Sequence, residues 1–141
     1  MSRGGIPLEA YVDCMHPVPN RATQFWSRPL VAVLSLVRED GRLHATPVKA
    51  VYFFGEDGVR AAALVSRRSV KARLVRSTAA RAALTEQDAQ GWVSIEGPCG
   101  LSDDPLLLAQ AREAYEQRFS QPSTWGDAVI TIEAEHISTG G

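Results

Sequence analysis

Apolar residues recur along this chain mostly in short runs separated by polar punctuation, the pattern of strands rather than of long helices. Leu30 to Val37 is a run rich in valine and leucine, and the Asp40-Gly41 pair behind it favours a tight hairpin. The second strand, Leu43 to Phe54, carries Pro47, which cannot donate a ladder hydrogen bond and so predicts an edge, a bulge or an interruption. Gly55-Glu56-Asp57-Gly58 reads as another hairpin turn, leading into a third strand, Val59 to Val65. Ala80 to Thr85 and Trp92 to Leu101 resume strand character on either side of a polar turn, and Ala128 to Glu135 forms a sixth strand.

Two segments carry helical spacing instead. From Ser69 to Ser77, Val70, Leu74 and Val75 recur near one face, with Ser66 or Ser69 available to cap the first amides. Ser102-Asp103-Asp104-Pro105 is a helix start, because Asp caps free N–H groups and proline is tolerated at the first helical position. That helix is predicted to run to about Phe119, with Glu113 to Arg118 as solvated charge. Residues 1–24, broken by Pro7, Pro17, Pro19 and Gly4-Gly5, read as an irregular lead-in. The pattern predicts a mainly β, α+β domain over residues 25–137. It has six antiparallel strands, a short helix after the third and a longer helix before the last, and the strands avoid exposed edges by curling into a barrel.

Composition removes several function classes. With 141 residues, 45% hydrophobic and 22% charged, the chain has the balance of one ordinary globular domain. A net charge of −1 supplies no global field toward nucleic acid or anionic lipid. No apolar run approaches the roughly 20 residues needed to span a bilayer, and residues 1–10 hold no signal-peptide core, so a cytoplasmic location is expected. Cys14 and Cys99 lack C-x-x-C spacing and read as buried thiols. His16, His44 and His136 lack ligand spacing, so no metal site is predicted. Nothing reads as a Ser-His-Asp or Cys-His arrangement, and no catalytic residue is assigned.

The segment Ser66-Arg67-Arg68-Ser69-Val70-Lys71-Ala72-Arg73 places hydroxyls and cations at a strand-to-helix junction. Free amides, Ser66, Ser69, Arg68 and Lys71 can hold a phosphate there, each charge-assisted hydrogen bond contributing roughly 1.5–3 kcal/mol. The same residues also fit a capped helix with solvated charges. Pro47 equally fits a plain bulge, and Trp92 a core or interface anchor.

In order along the chain, Asp40 to Val48, Ser69 to Arg73, Trp92-Val93-Ser94-Ile95-Glu96-Gly97 and Leu101 to Pro105 resemble the pyridoxamine-phosphate-oxidase-like superfamily, including its oxidoreductases that use coenzyme F-420 or FMN. The resemblance spans roughly residues 25 to 135 and rests on the order of several short motifs. It implies a six-stranded split β-barrel that dimerises, with two equivalent cofactor sites built from both subunits. The ring system would lie against Thr46, Pro47 and Val48, its phosphate on Ser66, Arg68, Ser69 and Lys71, with Trp92 approaching from the partner chain. Lys49, Arg67 and Arg73 are candidates for a basic groove toward the longer acidic tail of F-420. The implied activity is hydride transfer between reduced F-420 and a small electron-poor organic substrate, with FMN as the alternative cofactor. Leu74 stands where relatives place asparagine, and the loop before Lys71 is shortened, which leaves open a non-catalytic ligand-binding barrel.

Overall fold

Turn chemistry sets the strand order. In the computed structural model, which describes residues 18–77 and 80–141, Gly41 takes the left-handed conformation, φ 85°, and the Asp40 carboxylate accepts the Arg42 amide. That turn joins β1 (Ala32–Val37) to β2 (Leu43–Val48), with Val37 opposite Leu43. Gly58, φ 111°, closes the next hairpin between β3 (Ala50–Gly55) and β4 (Gly58–Val65). The remaining strands are β5 (Arg81–Asp88), β6 (Gly91–Ser102), β7 (Ala128–Glu133) and β8 (His136–Gly140). The helices are α1 (Asn20–Trp26), α2 (Val70–Ser77) and α3 (Pro105–Phe119).

All pairings are antiparallel, in one eight-stranded sheet ordered β2-β1-β5-β6-β7-β4-β3, with β8 added beside β6. The expected closed six-stranded barrel is corrected in two respects. The hydrogen-bonded path has two ends, and the predicted strand Leu43 to Phe54 is two strands, β2 on β1 and β3 on β4, divided at Lys49. The two ends of the path are therefore halves of one chain segment. Pro47 announced the interruption, but the proline itself keeps its place opposite Val33 and the division falls two residues later. β8 is an addition to the predicted set; its residues, His136-Ile137-Ser138-Thr139-Gly140, are too polar to stand out as a strand. Of the predicted lead-in, Asn20 to Gln24 lie in α1, while residues 1–17, with Cys14 and His16, lie outside the described residues.

The inner faces of the strands meet in one core that includes Leu34, Leu36, Val65, Leu84, Ile95 and Ile130, all nearly or fully buried. Burying side chains of this size stabilises by roughly 1.5–3 kcal/mol each. α1 adds Phe25 and Trp26 to that core, and α2 adds Ala72 and Val75. α3 lies on the opposite side of β3, β4 and β7, where Ala111, Tyr115 and Phe119 pack on Val51, Leu64 and Val129. Its start matches the sequence reading: Pro105 is the first residue and the Asp104 carboxylate accepts the Leu107 amide at 3.0 Å.

Near its end α3 departs from that reading. Arg118 is not solvated charge: its side chain is 7% exposed and pairs with Glu86, 0% exposed, at 2.7 Å. The same guanidinium donates to the carbonyls of Arg28, Ala50 and Phe25. Tyr52 completes the group by donating its hydroxyl to Glu86 at 2.6 Å while its ring stacks on Trp26 at 4.2 Å. Burial first, and then the Glu86 charge, push the Tyr52 phenol well above its ordinary range, so it stays a donor. This network fastens α3 and α1 to the strand just beyond Lys49.

Candidate functional site

The turn from β4 into α2 is built from its own hydroxyls. Ser69 donates to the Ser66 carbonyl at 2.7 Å and accepts the Ala72 amide at 3.2 Å, while the Ser66 hydroxyl accepts the Arg68 amide at 3.3 Å. Asp127 holds the turn from outside, accepting the Arg67 amide at 2.7 Å and pairing with its guanidinium, which Asp103 also approaches. Arg67 is thus engaged by two carboxylates. Arg68 and Lys71 have no carboxylate partner among the described residues.

Strand β2 carries the other predicted inward-facing residues. His44, Thr46 and Val48 alternate toward the interior, and Leu43, Ala45 and Pro47 point outward, as the exposure along the strand shows. Arg38, just past the end of β1, donates to His44 Nδ1 at 3.0 Å. Burial first, then Arg38, then Lys71 hold the His44 imidazole below its ordinary value. The structure thereby brings Lys71 of α2 within electrostatic reach of β2. Neither Arg38 nor His44 was singled out from sequence: their signal is the hairpin, whose register sets Leu36 opposite His44 and leaves Arg38, two residues on, to reach the imidazole diagonally.

The other predicted residues lie elsewhere. Lys49 donates to Gln121 and sits 5.7 Å from the centre of the Phe119 ring, beside the end of α3. Pro47 and Trp92 share the outer face of β2, β1, β5 and β6, since Pro47 is opposite Val33, Val33 opposite Thr85, and Thr85 opposite Ser94, two residues from Trp92. On that face Val33, Val37, Leu43 and Trp92 are exposed. Trp92 lies so close to Gly140 that a side chain on the glycine would meet its ring at 2.6 Å. The predicted residues therefore fall in three places: Ser66, Arg68, Ser69 and Lys71 around α2 with Thr46 and Val48 along the inward face of β2, Pro47 and Trp92 on the outer face, and Lys49 at the end of α3.

A groove of about 790 Å³ runs between α3 and the β3–β4 hairpin and includes none of these residues. Its lining holds Glu56, Asp57, Glu113 and Glu133 against a single cation, Arg60, which Glu133 engages. That charge is the wrong sign for an anionic cofactor. Burial raises the Cys99 thiol, partly offset by Arg81, so it is a poor nucleophile at neutral pH. No helix among the described residues is long and apolar enough to cross a membrane.

No protein-family model matches the chain, and no curated protein matches it significantly. Solved structures do. A conserved hypothetical protein of Mycobacterium tuberculosis superposes with a TM-score of 0.73 at 17% identity, covering 86% of this chain and 83% of that one. An F-420 reductase gives 0.69 at 16% identity, covering 86% and 98%. A Listeria innocua protein provisionally assigned as a pyridoxamine 5'-phosphate oxidase gives 0.66 at 18% identity, covering 85% and 95%. With its antiparallel sheet divided at Lys49 and three helices among the described residues, the chain has the split-barrel fold of the pyridoxamine-phosphate-oxidase-like proteins.

Proposed function

We propose that this protein is an oxidoreductase that binds coenzyme F-420 and passes a hydride between its reduced form and a small electron-poor organic molecule. The observation that carries the reading is the start of α2, where Arg68 and Lys71 have no carboxylate partner among the described residues and the Lys71 charge acts on His44 of β2. Cations left in this state beside the first amides of a helix fit a phosphate. The likeness in fold to an F-420 reductase supports the choice of cofactor. Lys71, Arg68 and the α2 amides would hold the phosphate, and Thr46 and Val48 would line its approach along β2. The cofactor supplies the hydride; the chain binds, orients and shields. FMN, with the same phosphate requirement, is the second reading.

The exposed outer face bearing Val33, Val37, Leu43 and Trp92 supports a homodimer in which Trp92 serves the partner's site. The Ser69 hydroxyl, which donates and accepts within its own turn, favours the non-catalytic ligand-binding alternative to the extent that the cofactor depends on it, whereas Ser66 only accepts there and keeps its O–H to donate.

Titration of the purified protein with F-420 and with FMN, followed by cofactor fluorescence, tests the reading. Tight F-420 binding that weakens about tenfold or more in Lys71→Ala, some 1.4 kcal/mol, supports it. Preference for FMN keeps the site and changes the cofactor. Binding of neither overturns the enzyme reading.

A further inference from the structure

The cluster of Arg38, His44 and Lys71 gathers three basic groups from two elements and the end of a third. Arg38 faces His44 at 3.0 Å and Lys71 acts on it through its charge; across β1 it meets the apolar Leu36. The nearby hairpin carboxylate, Asp40, is engaged by Arg42 at 2.7 Å, and Arg42 also donates its amide to it. A guanidinium only donates, so the 3.0 Å contact requires His44 Nδ1 to be the acceptor and the resting imidazole to be neutral. Protonating Nδ1 would set donor against donor and add a third positive charge, unless an anion enters to accept from all three.

We propose that Arg38, His44 and Lys71 form a proton-coupled oxyanion site, in which binding of a phosphate or sulfate group carries one proton onto His44. The proposal rests on the reading of the α2 start as an anion site and adds its regulation by pH. The proton comes from solvent and is bound at Nδ1, and the Arg38 donor that had bonded to that nitrogen turns to the anion. Linkage then gives the sign: an anion that raises the affinity of His44 for a proton is itself bound more tightly as pH falls. The burial and neighbouring cations that hold the free imidazole low ensure that it is largely neutral at pH 7.5, so the coupling is available there.

Inorganic sulfate is the probe, because its own charge is constant between pH 5 and 8. Its affinity for the full chain is measured by calorimetry at pH 7.5 and 5.5 in the native protein, His44→Gln and Lys71→Ala. The expected result is binding tighter at pH 5.5, up to the roughly tenfold limit of a one-unit shift, loss of that difference in His44→Gln, and weakened binding at both values in Lys71→Ala. Lys71-dependent binding that ignores pH overturns the proton coupling and leaves the anion site standing. No Lys71-dependent binding at either pH overturns both. Should His44→Gln fail to fold, the imidazole of His44 is titrated by NMR in the native protein with and without saturating sulfate. A rise of its titration midpoint by about one pH unit, the same tenfold factor, supports the proposal, and an unmoved midpoint overturns it.

Discussion

Two groups of charged side chains in this molecule have opposite logic. Glu86 and Arg118, with Tyr52 beside them, are buried, of opposite sign, and bonded to each other and to backbone carbonyls. Arg38 and Lys71, with the neutral His44, are half-buried, carry charge of one sign only, and have no carboxylate that pairs with them among the described residues. The first group is complete and answers to the fold. The second is incomplete and answers to something that arrives from solution. Charge in a protein of this size is thus informative less by its amount than by whether its counter-charge is present.

Breaking the complete group has the largest expected effect. Glu86→Ala leaves Arg118 buried without its partner and should lower stability by about 3–5 kcal/mol in denaturant unfolding. Replacing both by apolar residues of similar volume, Glu86→Leu with Arg118→Met, should restore much of that loss. A Glu86→Ala protein as stable as the native one would mean that the pair has little structural role.

The incomplete group should respond the other way. Lys71→Ala should weaken sulfate binding about tenfold, roughly 1.4 kcal/mol, with a thermal midpoint close to native. Removing a cation from an unbalanced cluster costs the ligand rather than the fold.

The starts of α2 and α3 differ in the same way. α3 carries its own anion in Asp104, whereas α2 is capped by a neutral serine and flanked by cations. Asp104→Ala should therefore cost about 1 kcal/mol of stability and leave sulfate binding unchanged, a result read from paired unfolding and calorimetry. The smallest effect is that of pH on the unliganded protein. His44 binds its proton less readily in the fold than its ordinary value of 6.5, so the unfolded chain protonates first. Stability is then full above about that value and declines as pH falls from it toward the lower folded value. Thermal midpoints at pH 7.5 and 5.5 should differ less in His44→Gln than in the native chain.

Most of the strands and the two later helices were legible because their signals are local, whereas β8 was missed and β2 and β3 read as one strand. Asp40-Gly41, the glycines at 55 and 58, and Asp104-Pro105 each fix a turn or a start within a few residues. Glu86 and Arg118 left no such trace, since a carboxylate on β5 and a guanidinium on α3 become partners only when the sheet and helix have assembled. Arg118 therefore read as surface charge. Lys71 was legible from its own segment, but Arg38 and His44 were not, because their juxtaposition depends on the hairpin register. Lys49, read as reaching toward the cofactor tail, is turned to Gln121 by the change of sheet at its own position.

The stacking of Trp26 on Tyr52 has an optical consequence. Trp26 is 7% exposed, whereas Trp92 and Trp125 are 38% and 53% exposed, so a soluble quencher such as iodide reaches two indoles and spares the third. The emission that survives comes from a ring in contact with the phenol bonded to Glu86. The chain therefore carries a built-in fluorophore for the closed half of its charge arrangement and separate ones for its exposed faces, and neither needs a label.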